Sequence, residues 1–190
     1  MRSISAAFFL RVASVLSFLH CLGHTIGGVF GVDAPPGTKE GAVVAVMKSN
    51  QFDVMGATRS YWDFLIGYGL TISVSSLIQA VLFWQLAGLA KTEPGRVRPI
   101  IAAFFFANLG FAILAWKYFF MPPFVGEILT TIVLGVAYLG AGRAAGRKEI
   151  AAKEHKAAKP QPNRFRARFK RAPNLRRVSR FDARDEVACG

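Results

Sequence analysis

The chain has 190 residues, 53% hydrophobic and only 18% charged, with a mean hydropathy of +0.34; a soluble domain carries about 25% charge, so an ordinary water-soluble globule is excluded. Residues 143–190 hold fifteen Lys/Arg against five Asp/Glu, and residues 1–142 nine against six. The net charge of +13 therefore belongs mostly to a tail, which argues against a nucleic-acid-binding body, and two cysteines, Cys21 and Cys189, make no disulfide framework.

The first apolar run covers residues 4–30. Arg2 followed by an apolar stretch imitates a signal peptide, but Arg11 interrupts it and no small-residue cleavage pattern follows, so a retained span is expected. Residues 12–30 suffice to cross a bilayer, with Arg11 snorkelling to the headgroups. Gly23, Gly27 and Gly31 recur every four residues, beside Gly28. Such strips let helix backbones approach closely in lipid, within one chain or between copies in a homo-oligomer.

Residues 31–58 open with the turn chemistry of Asp33, Pro35, Pro36 and Gly37. Their apolar patches, 42–47 and 52–55, are too short to span and predict a short interfacial helix. The second span, 61–90, enters with Arg59, Tyr61, Trp62 and Asp63 at its mouth. At about 100° per residue, Asp63, Gly67, Thr71, Ser75 and Gln85 share one arc. That polar arc is expected to face the bundle interior, because unsatisfied polar groups are costly in hydrocarbon. Gln79 falls at its edge.

A basic turn, 91–98, leads to the third span, 99–120, with Pro99 suited to the first helical position. Asn108 sits mid-span, and Lys117 and Tyr118 close it at interfacial depth. Pro122 and Pro123 start the fourth span, 123–142, on which Glu127, Thr131, Leu134 and Tyr138 share a face. The expected fold is thus an all-α, integral membrane four-helix antiparallel bundle over residues 1–142. The tail, 143–190, is expected to be basic, cytoplasmic, partly helical and partly disordered. The basic turn and tail put both termini in the cytoplasm by the positive-inside rule.

Beyond Pro160 and Pro162 the tail carries RFRARFKR, residues 164–171. Basic residues interleaved with aromatics suit anionic lipid headgroups; RNA is the alternative partner.

This topology brings His20, His24, Arg59, Tyr61, Trp62, Asp63, Lys117 and Glu127 into the outer half of the bundle. His20 and His24 stand at metal- or haem-ligand spacing, but two ligands do not complete a site, and structural hydrogen bonding is the competing role. Asp63 reads as an ion-pair partner of Arg59, Tyr61 and Trp62 as interface anchors, and Glu127 as a residue favoured near a helix N-terminus. No C-x-x-C, phosphate-binding glycine loop, H-E-x-x-H or G-x-S-x-G occurs.

Residues 51–64, QFDVMGATRSYWDF, with GYGL at 67–70, LHCLGH at 19–24 and YFFMPP at 118–123, resemble a family of small bacterial four-span membrane proteins over roughly residues 8–140. The resemblance implies a four-helix fold in the cell inner membrane and no particular substrate. In size and span number the chain is similar to DoxX-like membrane proteins, an analogy of architecture alone. The function expected is a non-enzymatic or accessory membrane component without a cofactor. The alternatives are a membrane enzyme or redox component using the outer cluster, and a small-solute transporter.

Overall fold

A computed structural model describes residues 5–158, and helix makes up about 85% of them. In chain order come α1 (Ala6–Gly23), a π-helical turn (His24–Phe30), α2 (Lys39–Ser49), β1 (Gln51–Val54), β2 (Ala57–Ser60), α3 (Tyr61–Thr92), α4 (Pro94–Tyr118) and α5 (Met121–Ala158). Four of these segments are long and apolar enough to cross a membrane: Ala6–Phe30, Tyr61–Thr92, Pro94–Tyr118 and Met121–Ala158. The chain divides into one unit ending at Glu149 and another beginning at Ile150. The RFRARFKR stretch, Pro160, Pro162 and Cys189 lie outside the described residues.

Local chemistry sets the helix ends. The Ser5 hydroxyl accepts the Phe8 N–H at the start of α1, and Thr38 caps α2 through Gly41 N–H. α4 starts at Pro94, five residues before the expected Pro99, which lies inside the helix. Pro94 occupies a position whose N–H has no intrahelical acceptor, so its missing donor costs nothing. Pro99 leaves the Gly95 carbonyl without its i+4 donor, and Gly95 has no Cβ to add to the crowding. Pro122 and Pro123 fall in the first turn of α5, where proline is tolerated for the same reason. At the far end of α3 the Lys148 ammonium of α5 donates to the Lys91 and Thr92 carbonyls. It closes a helix C-terminus that carries partial negative charge.

The connection 31–58 holds more than the expected interfacial helix. After α2, strands β1 and β2 form an antiparallel hairpin with Val54 opposite Ala57 and Gln51 opposite Ser60. Its two-residue turn has φ of 50° at Met55 and 84° at Gly56. Positive φ at both central positions matches the right-handed twist of the flanking strands. Methionine there is an uncommon choice, so the turn carried little signal in the sequence.

The largest apolar cluster lies where α1 begins, α3 ends and α4 begins. Leu10, Phe83, Val97, Ile101 and Leu134 are fully buried there, packed with alanines 6, 7, 13, 87, 90, 137 and 141. Alanine and glycine bring the backbones together: a Cβ on Gly140 of α5 would sit 3.4 Å from the Ala6 nitrogen of α1. Nearer the other end the interior turns polar, with Ser17, Ser73, Asn108, Thr130 and Thr131 buried. Asn108 donates to the Phe104 carbonyl, and Thr130 and Thr131 to Gly126 and Glu127 carbonyls, so these groups are satisfied within their own helices. Of the expected face of α5, Thr131 and Leu134 are buried and Glu127 and Tyr138 half-buried.

For α3 the expectation fails. Asp63, Gly67, Thr71, Ser75 and Gln85 are exposed, and the inward face is Gly69, Ser73, Ala80, Phe83, Ala87 and Ala90. Close approach to α1 selects small residues, and the serine and glycine of this face supply polar partners as well. Gln79, left at the edge of the expected arc, is half-buried.

In lipid the transfer of apolar surface contributes little to helix association, so packing alone distinguishes core from periphery. Phe83→Ala opens a cavity and is expected to cost about 2 kcal/mol. Ile78→Ala, at a side chain 54% exposed, should stay within about 0.5 kcal/mol. Reversible unfolding by denaturing detergent in mixed micelles measures both.

Candidate functional site

The residues expected to share one outer cluster separate into three groups. The first is built by α1, the π-helical turn, α3 and α5. His24 Nε2 lies 3.1 Å from the Gly69 carbonyl oxygen of α3. His20, one turn earlier, faces α5, with Nδ1 3.8 Å from Glu127 Oε1. The two rings are stacked at 6.3 Å between centroids and 20° between planes, yet they serve different neighbours. His20 and His24 therefore do not converge on one ligand position. Among the described residues no group of three or more His, Cys, Asp and Glu could hold a metal ion.

Glycines make room for these rings. A Cβ on Gly28 would fall 2.9 Å from His24 Nδ1, and one on Gly126 3.2 Å from His20 Nδ1. The helix widens from α to π geometry at His24 itself, a departure common at functional positions. Thr25 lies in this turn and donates to the Cys21 carbonyl at 2.7 Å, and its oxygen lies 2.8 Å from the Ser73 hydroxyl oxygen. The Cys21 thiol donates to the Ser73 carbonyl at 3.2 Å. Cys21, Thr25, Gly69 and Ser73 were absent from the sequence-level cluster. Only their place near the histidines and glycines could have suggested them.

Glu127 is the anomaly of this group. Its side chain is 16% exposed and that of His20 18%. Glu127 Oε2 is buried and, among the described residues, has no hydrogen-bond partner. A carboxylate oxygen left so in an apolar span is costly, and a single proton on the carboxyl removes the charge.

The second group sits where the hairpin enters α3. Asp63 takes Ser60, not Arg59, as its partner. Its Oδ2 accepts the Ser60 N–H at 2.8 Å and the Ser60 hydroxyl at 2.9 Å, and its own N–H donates to Ser60 Oγ. This reciprocal capping box satisfies donors that the first turn leaves open. The pattern S-x-x-D before an apolar run was legible in residues 60–63. The Arg59 guanidinium donates instead to the Thr58 carbonyl at 2.7 Å. Tyr61 packs on Phe52 of β1 at 4.8 Å between centroids, and Lys48 of α2 lies 4.4 Å over the Trp62 ring. Lys48 also bonds both oxygens of Asp33, and that hydrogen bond holds the Asp33 carboxyl below the usual aspartate range. Tyr61 and Trp62 thus fasten α2 and the hairpin to the start of α3.

The third group is Lys117 with Tyr118, both exposed at the end of α4, the ammonium 5.0 Å from the ring centroid. Lys117 has no part in the histidine group.

No family model, curated protein or solved structure matches the chain, so its chemistry rests on its own residues.

A Cβ on Gly69 would meet Val29 Cγ2 at 2.9 Å, whereas one on Gly67 meets nothing within 4 Å. Gly69→Ala is expected to push the π-helical turn off α3 and cost about 1–3 kcal/mol. Gly67→Ala should leave stability unchanged or slightly raised. Detergent unfolding of the pair checks the contrast.

Proposed function

We propose that the chain is a four-span integral membrane protein of the cell inner membrane, an antiparallel bundle with both termini in the cytoplasm. In this proposal it acts as a non-enzymatic, accessory component. One observation carries the membrane part. All four span-length segments turn large apolar side chains outward, among them Val15 and Ile26, Ile72 and Ile78, Phe106 and Ile113, Leu129 and Ile132. A surface of that kind is stable against lipid tails and aggregates in water. The contacts Ser14 to Ala80, Cys21 to Ser73 and His24 to Gly69 rise along α1 while falling along α3, which supports opposite directions for the two.

Single cysteines introduced at Lys39 and at Lys156, in a background with Cys21→Ala and Cys189→Ala, test the topology. A membrane-impermeant maleimide applied to intact cells is expected to label the first and not the second. Labelling of both, or of neither until lysis, rejects the arrangement.

A second reading, a membrane enzyme or redox component, is favoured by the partnerless Glu127 Oε2 beside His20. A carboxyl placed inside a span beside an imidazole, Oε1 3.8 Å from His20 Nδ1, is the residue pair of an acid–base element. His20 of α1 lies beside it, and His24 of the π-helical turn stacks on the His20 ring. Infrared difference spectra between acidic and alkaline reconstituted protein are expected to contain a protonated-carboxyl C=O band that Glu127→Gln removes and His20→Ala displaces. Identical spectra for the unmodified and Glu127→Gln proteins reject this reading.

A further inference from the structure

The stretch RSYWDFLIGYG, residues 59–69, fastens the hairpin and starts α3, yet one side of it is left unused. Beside it runs a groove of about 400 Å³ lined by Arg59, Asp63, Phe64, Gly67, Tyr68 and Thr71, with Val54 of the hairpin at its rim. Asp63, Gly67 and Thr71 follow one another every four residues, so the floor of the groove climbs one line of the helix for about 12 Å. Gly67 leaves it open, since a Cβ there would meet nothing within 4 Å among the described residues. Thr71 donates its hydroxyl to the Gly67 carbonyl at 2.9 Å and so offers the groove its methyl group without an unpaired donor. Phe64 and Tyr68, both exposed, form an aromatic wall. The lower part of this open groove is therefore lined mainly by apolar groups.

The mouth of the groove carries one charge of each sign. Arg59 uses one guanidinium nitrogen for the Thr58 carbonyl, which leaves most of its five N–H donors unused. Asp63 gives Oδ2 to Ser60, and among the described residues Oδ1 accepts no hydrogen bond. A cation and an anion held above an apolar trough, at the mouth of a span, are the complement of one kind of molecule.

We propose that this groove binds a zwitterionic phospholipid with a primary ammonium headgroup. Its phosphate pairs with Arg59, its ammonium donates to Asp63 Oδ1, and one acyl chain lies over Gly67 and Thr71 against Phe64 and Tyr68. A headgroup without an amine, such as phosphatidylglycerol, places no cation on Asp63. A quaternary ammonium has no N–H to donate. The polar arc of α3 that turned out to face away from the bundle gains an occupant in this way.

The site rests on the four-span reading, so topology labelling is repeated on the same preparation. The full chain is reconstituted into nanodiscs of mixed phosphatidylethanolamine, phosphatidylcholine and phosphatidylglycerol, extracted gently, and weighed intact with its retained lipids. Phosphatidylethanolamine is expected to be retained about tenfold over the other two, the scale of one charge-assisted hydrogen bond. Asp63→Asn should abolish that preference while phospholipid is still held. Arg59→Ala and Gly67→Leu should lower retention of all three. Ser60→Ala breaks the capping box without touching the headgroup, and should lower stability but keep the preference. Equal retention of the three lipids by the unmodified chain overturns the proposal, as does a preference that survives Asp63→Asn. A dimer that carries no lipid and dissociates on Gly67→Leu overturns it in favour of a second copy. Any of these outcomes with the labelled topology intact rejects the lipid site and leaves the membrane reading standing.

Discussion

The contact between α1 and α3 is where the molecule's polar demands are met. Three side chains of the Ala6–Phe30 segment reach backbone carbonyls of α3: Ser14 to Ala80, Cys21 to Ser73 and His24 to Gly69. A helix carbonyl already accepts one bond from its own helix, and its second lone pair is available to a neighbour. Each bond between helices in lipid is worth only about 0.6 kcal/mol, but together they set the rotation and height of one helix on the other. Reaching a carbonyl needs close backbones, which is why glycine, alanine and serine line the seam.

That requirement explains both departures from regular behaviour. The inward face of α3 is the one that lets α1 approach, and the arc of Asp63, Gly67, Thr71 and Ser75 is left outside. Near the end of α1, Val29 already packs against Gly69, and the helix widens into π geometry over His24–Phe30. His24 stays on the seam as the helix widens, and His20 remains free to face α5. The approach of His20 to Glu127 thus follows from how α1 lies on α3.

The two ends of the helical packing are unlike. Where α1 starts, the interior is alanine, leucine and phenylalanine, and charges stay at the periphery: Arg11 lies 4.9 Å over Trp84 and Arg98 4.4 Å over Tyr138. At the opposite end of α1 the interior holds hydroxyls, histidines and a carboxyl. There the hairpin and α2 are held to α3 by Phe52 on Tyr61 and by Lys48 on Trp62. Buried apolar side chains are concentrated at one end and buried polar ones at the other.

The amino-acid sequence by itself determined the four helices long and apolar enough to cross a membrane, the proline start of α5 to within two residues, and the shared face of Glu127, Thr131, Leu134 and Tyr138 on α5. Each depends on properties that add up locally along the chain: hydropathy, turn chemistry, and a polar residue that must be turned from lipid. It also carried the capping signature of residues 60–63. Only the tertiary structure decided which side of α3 is buried, that Asp63 answers Ser60 and not Arg59, and that His20 and His24 part company. It also decided that Lys117 stands apart and that a hairpin occupies residues 51–60. Those outcomes depend on how near two backbones can come and which carbonyl then lies within reach, and neither distance is written in the order of residues along one helix.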